Sequence, residues 1–181
     1  MRCGSVSVAL ALAGMGALGL AGCNSLPPPQ TVSYVDLQEY QGRWFEIARL
    51  PVSFENNCYA VTATYTLNND GTVRVENECR KGSLDGPVKR ATGKAWVTDP
   101  GENAKLKVQF FWPFTGDYWV LMLDPGYEWA VVGSPDRRTL WILSRRPEMS
   151  QVILDELGRQ MAQEGYPVGR MIRTPQALEV P

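Results

Sequence analysis

From residue 43 onward the chain alternates apolar and polar side chains with a period of two. Leu106, Val108 and Phe110 fall on one face of such a run, and Lys105, Lys107 and Gln109 fall on the other. Ala63, Tyr65 and Leu67 oppose Thr62, Thr64 and Thr66, while Val73 and Val75 oppose Arg74 and Glu76. One wet face and one apolar face mark antiparallel strands packed on a core from one side. The pattern predicts strands over 43–50, 60–67, 72–79, 88–98, 104–112, 117–124, 127–133 and 138–144. Between them lie Asn68-Asn69-Asp70-Gly71, Asp99-Pro100-Gly101, Asp124-Pro125-Gly126 and Ser134-Pro135-Asp136. These residues supply the backbone angles of tight reversals, and short connections make successive strands antiparallel neighbours. Eight such strands imply a sandwich or a closed barrel.

The period then changes. Ser150 can cap a helix whose apolar stripe is Ile153, Leu157 and Met161, and Gly165 can end it. Such a stripe packs against the sheet. Residues 170–174 read as a last short strand.

The first 22 residues are set apart. Arg2 supplies a positive start, Val6–Leu20 is a short glycine-diluted apolar run, and Leu20-Ala21-Gly22-Cys23 puts small residues before a cysteine. That order is a secretory signal, and the run falls short of the ~20 residues a bilayer-spanning helix needs. Leu-Ala-Gly-Cys resembles the bacterial lipobox, which implies that Cys23 becomes the acylated first residue of a mature chain of 181 − 22 = 159 residues. Each buried methylene contributes ~0.8 kcal/mol, so several acyl chains hold a protein on a membrane. Asn24 follows the cysteine in place of the Asp that retains such lipoproteins in the inner membrane, which favours the outer one. Leu26 to Thr31, with three consecutive prolines, reads as a stiff spacer.

Charge and composition narrow the chemistry. The net charge is −1, from 18 basic and 19 acidic residues, which leaves no basic face for nucleic acid. There is no histidine, and with it go the commonest general base and the usual haem and zinc ligands. No metal cluster, serine nucleophile elbow or phosphate loop is visible, so neither a catalytic residue nor a cofactor is assigned. Of four cysteines, Cys3 leaves with the signal and Cys23 carries lipid. Cys58 and Cys79 remain as a disulfide candidate in an oxidising compartment.

Three motifs then give the chain a family resemblance. Gly42-Arg43-Trp44 sits within Tyr40–Arg49, Gly116-Asp117-Tyr118 lies within Thr115–Asp124, and Leu140–Arg145 reads Leu-Trp-Ile-Leu-Ser-Arg. Together, in order and with a helix after the third, they resemble the lipocalin family, in particular its bacterial outer-membrane lipoprotein branch. The resemblance implies an all-β fold: an eight-stranded antiparallel up-and-down barrel, one C-terminal α-helix packed outside and a short ninth strand. The expected organisation is a signal peptide at 1–22, a lipid-anchored linker at 23–33, the lipocalin domain at 34–175 and a tail at 176–181.

In such a barrel Trp44 opens the first strand and Arg145 follows the eighth, so both lie at the closed end on neighbouring strands. Arg145 can cover the Trp44 ring, a contact of roughly 0.5–2 kcal/mol, so Gly42, Trp44 and Arg145 are expected to plug the floor. Cys58 and Cys79 come together at the mouth. Strict alternation turns Cys58 outward and Cys79 inward, so a bond between them needs a bulge near Cys58.

An eight-stranded barrel has room for one small ligand or for its own side chains. Tyr65, Phe110, Trp112 and Trp141 are the expected ligand-binding residues, with Trp112, Phe114 and Phe54 at or near the mouth. Lys81, Lys89 and Arg90 could meet a charged head group there. The resemblance implies a fatty acid or lysophospholipid as partner, the membrane through acylated Cys23, and an outer-membrane protein facing the periplasm. Homodimerisation is left open. The alternative is a structural or assembly lipoprotein whose barrel is filled by its own aromatics; an enzyme would need a free, low-pKa thiol at Cys79.

Overall fold

Short turns and period-two alternation fold the chain into consecutive antiparallel strands. The computed structural model describes residues 26–177. The signal segment, Cys23 and the end of the tail lie outside the described residues. A one-turn helix α1 (Leu37–Tyr40) precedes β1 (Gly42–Arg49), and β2 to β8 follow at Cys58–Leu67, Val73–Lys81, Val88–Val97, Lys105–Phe111, Phe114–Leu123, Trp129–Gly133 and Leu140–Ser144. Helix α2 (Gln151–Gln163) and β9 (Ile172–Arg173) complete the described chain. Each strand pairs with the next, and β1 pairs with both β8 and β2, which closes the barrel.

The β2–β3 turn shows how the local sequence works: Gly71 takes φ +78° and the Asn68 amide donates to Thr72 O at 2.8 Å.

Two bulges decide where side chains point. A register shift between Tyr59 and Thr62 in β2, with Ala60 at φ +47°, turns Cys58 toward Cys79. Cys58 and Cys79 are disulfide-bonded, with Cα atoms 5.5 Å apart. A second shift lies between Glu46 and Ala48 in β1. Trp44 and Glu46 face inward, Ile47 and Ala48 face α2, and Arg49, paired with Trp141, faces inward again. Without the extra residue Arg49 would point out of the barrel.

The fold has two apolar layers. Inside the barrel, Trp44, Tyr65, Val75, Ala95, Leu106, Val120 and Leu143 pack together. Outside it, Phe45, Ile47, Val131, Leu140 and Ile142 receive Leu157 and Met161 of α2. Ser150 caps this helix by accepting from the Ile153 amide, and Gly165 follows its end at φ +85°. Ile153 departs from the expected stripe: it is exposed, and Leu154 packs in its place.

One end is plugged. Asp36 caps α1 by accepting from the Gln38 amide, and the Trp44 indole donates to Tyr40 O at 2.9 Å. Trp44 is completely buried. Gly42 takes φ +90° and its missing side chain leaves room for Arg145, whose Nη1 would be 3.4 Å from a Cβ there.

Candidate functional site

The barrel interior changes character from floor to mouth. At the floor, Tyr40, Tyr118 and Tyr65 form a chain of phenols, with hydroxyl oxygens 2.8 and 2.9 Å apart and Tyr118 in the middle. Burial pushes the Tyr65 phenol up to about 12 and raises those of Tyr40 and Tyr118 well above the usual value. These groups stay neutral hydrogen-bonding partners. Val75, Ala95, Leu106 and Leu143 pack around them.

Higher up, the inward side chains are only half-buried. Ala63, Asn77, Val108, Phe110 and Trp141 all keep solvent access although they face the barrel axis. Side chains packed tightly across a filled barrel are more fully buried than these five, which are less enclosed than the floor residues below them. Gly93 shapes this wall: a Cβ there would meet Gln109 O at 2.7 Å and Phe110 Cδ1 at 2.8 Å. The glycine lets the Phe110 ring lie flat against β4. Asn77 Oδ1 is buried without a hydrogen-bond partner, an acceptor within an otherwise apolar wall.

Three charges lie beside Trp141. Arg49 Nε is 3.2 Å from Glu46 Oε1 and 2.9 Å from Glu55 Oε2, and all three side chains are nearly excluded from solvent. These contacts are ionic, with angles outside hydrogen-bond geometry. Arg49 also donates to Glu55 O at 3.0 Å and Leu50 O at 3.3 Å, so it ties the Ser53–Glu55 turn to the barrel wall. Thr174 donates to Glu46 Oε1, and Gln176 donates to Glu46 O and Val61 O at 2.7 and 2.9 Å. Desolvation, then the neighbouring Glu55 charge, push the Glu46 carboxyl well above the usual range, and desolvation raises Glu55 too. Two carboxylates thus face a single guanidinium in a site nearly closed to solvent.

The expected site residues separate into groups. Tyr65 lies at the floor, while Phe110 and Trp141 line the upper wall. Trp112 does not line the cavity. It is 85 % exposed because the Phe111–Phe114 turn carries it past the end of the barrel. Phe54 packs its ring 6.5 Å from that of Trp141 and remains 59 % exposed. At the rim, Arg90 pairs with Glu78 at 2.8 Å, Lys81 donates to Asn56 O, and Lys89 is exposed.

Tyr118, Asn77 and the Glu46–Arg49–Glu55 cluster were not expected. Glu46 and Arg49 sit in the Gly-x-Trp run, but the bulge that turns Arg49 inward beside Glu46 has no compositional mark. A separate groove of about 380 Å³ lies outside the barrel, between α2 and the wall at Ala48 and Ile142. It is the seam of helix packing. Among the described residues no group of acidic or cysteine side chains is arranged to hold a metal.

Comparison with known proteins places this geometry. A family model described as a lipocalin-like domain matches residues 35–176. The chain is 40 % identical over 166 residues to the outer membrane lipoprotein Blc of Escherichia coli K12, covering 90 % of this chain and 93 % of that one. It is 40 % identical over 157 residues to temperature-induced lipocalin-1 of Arabidopsis thaliana, covering 82 % and 83 % of the two chains. Among solved structures, insecticyanin from the tobacco hornworm Manduca sexta superposes with a TM-score of 0.67 at 21 % identity, covering 84 % of this chain and 87 % of that one. At that identity the likeness concerns the fold.

Proposed function

The chain belongs to the lipocalin family, and from that premise we propose that it is an outer-membrane-anchored lipocalin that binds and stores or transports small hydrophobic lipids in the cell envelope. Fatty acids and lysophospholipids are the ligand class. The observation that carries this reading is the set of inward-facing side chains that stay half-buried above the tyrosine floor, Val108, Phe110 and Trp141. An acyl chain suits such a lining. Burying ~14 methylenes at ~0.8 kcal/mol each gives roughly 11 kcal/mol before ordering and association costs.

Acylation of Cys23 supplies the anchor, on the strength of the Leu-Ala-Gly-Cys sequence and the name of the Escherichia coli relative, an outer membrane lipoprotein. The protein is a carrier rather than an enzyme. In the cavity, Tyr65 and Tyr118 bound the methyl end of the ligand, and Phe110 and Trp141 flank the chain.

A tryptophan-fluorescence titration of the purified protein with lysophospholipids and fatty acids, beside Trp141→Phe, tests this. Saturable quenching that weakens in the variant is expected. No response to any lipid from a folded protein would instead favour a structural or assembly lipoprotein.

A further inference from the structure

Among the described residues, the four most exposed aromatic side chains gather at the mouth of the barrel. Phe111, Trp112 and Phe114 are 74, 85 and 76 % exposed around Pro113 at the tip of the β5–β6 hairpin. Phe54 projects from the β1–β2 connection at the same end. A cluster of this kind on a carrier of nearly balanced charge marks an interaction surface. The basic residues Lys81, Lys89 and Arg90 lie on the neighbouring β3–β4 hairpin, also at the mouth.

The path of the N-terminal strap is an independent observation. Leu26 packs against Gly165 beyond the end of α2, and Arg137 of the β7–β8 connection donates to Pro27 O. Both contacts are at the mouth end, where the Tyr166 hydroxyl also joins Ser134 O at 2.9 Å. From there the strap descends the outer wall. The Gln30 amide donates to Glu164 Oε2, the Val32 amide to Val120 O, and the Val35 amide to Glu102 O near the floor. The chain therefore enters the fold from the mouth end. Cys23 is three residues before Leu26, a span of at most ~11 Å.

We propose that the barrel docks mouth-first on an anionic phospholipid bilayer, with Phe111, Trp112 and Phe114 entering the headgroup region and the β3–β4 lysines facing lipid phosphates. The cavity then opens onto the membrane, and a single-chain lipid passes between bilayer and barrel without crossing water. The inference rests on the reading that Cys23 anchors this chain. Aromatic side chains favour the membrane–water interface, and each basic residue near an anionic surface adds to the attraction. A second copy of the chain suits this surface poorly. The aromatics stand on two separate connections, whereas a stable interface buries ~800 Å² per partner in one continuous patch.

The test uses the mature acylated protein in vesicles of phosphatidylethanolamine and phosphatidylglycerol whose acyl chains are brominated near the headgroup. Trp112→Phe, a change at an 85 % exposed position, isolates the contribution of one of the six tryptophans. Bromolipid quenching and a blue-shifted emission, both absent from Trp112→Phe and lost in Phe111→Ser/Phe114→Ser, are expected. If Trp112 is quenched by aqueous iodide and ignored by bromolipid, the docking is wrong. Protection of Trp112 that grows with protein concentration in the absence of vesicles would overturn it in favour of self-association. Mass spectrometry of the N-terminus reads acylation separately. An acylated protein with water-exposed Trp112 sinks the docking alone, whereas an unacylated protein that leaves vesicles unbound sinks the anchoring as well.

Discussion

The Arg145 guanidinium lies over the Trp44 ring, 3.8 Å from its centroid, and closes the floor of the barrel. The same side chain donates to Glu39 O at 2.7 Å, Arg43 O at 3.1 Å and Tyr127 O at 3.2 Å. It therefore ties α1, β1 and the β6–β7 turn across one buried indole. A lysine can cover the ring but cannot reach three carbonyls in a planar fork. Arg145→Lys should cost about 1 kcal/mol and Arg145→Ala about 2 kcal/mol, read as a lower urea midpoint at unchanged slope. Lipid affinity should be unaltered, because the pair sits below the tyrosine floor; a large loss of affinity with normal stability would make Arg145 a ligand contact.

The Cys58–Cys79 bond closes a stretch of 21 residues across neighbouring strands. Chain entropy puts its stabilisation at about 3 kcal/mol, and the paired hairpin beneath it makes that an upper figure. Cys58→Ser/Cys79→Ser should lower the melting temperature and loosen the mouth while leaving the barrel assembled. Amide exchange should rise around 56–61 and 79–88 and stay low at Trp44. Uniform loss of protection would show that the bond holds the whole fold.

Much of this was legible in the sequence because two periods carry it. Alternation and turn residues delimit the eight strands, and a capped stripe delimits α2. What stayed hidden depends on single inserted residues. The bulge at Ile47 reverses the direction of Arg49, and that at Ala60 reverses Cys58; the second was demanded by the cysteines, the first by nothing in the sequence. Helix α1 is too short to show a period. Trp112 is expected at the mouth as a ligand contact, and it lies at that end, but the strand stops at Phe111, one residue short of the alternation, which leaves its ring facing solvent.

Tyr118 joins two buried phenols and has no substitute nearby. Tyr118→Phe keeps the ring and leaves the Tyr40 and Tyr65 hydroxyls without their shared partner. A buried hydroxyl deprived of its hydrogen bond costs about 1–3 kcal/mol, so a fall in stability of that order is expected by denaturant titration. A neutral effect would mean that water enters and replaces the lost oxygen.

Glu46 makes the stability of the native barrel depend on pH. Its carboxyl is raised well above the ordinary 4.5, chiefly by desolvation and then by the charge of Glu55. Between the ordinary and the raised value, the folded state therefore holds more protons than the unfolded one. Stability from this site is full below the unfolded value and is lost as pH rises through the folded one. Glu46→Gln imitates the protonated carboxyl. It keeps an oxygen to accept from Thr174 and leaves Arg49 paired with Glu55. Wild type and variant should melt alike at about pH 4, and the variant should gain the advantage steadily toward about pH 8. Parallel melting curves across that range would mean that Glu46 is ionised in the folded protein and that Arg49 balances it fully.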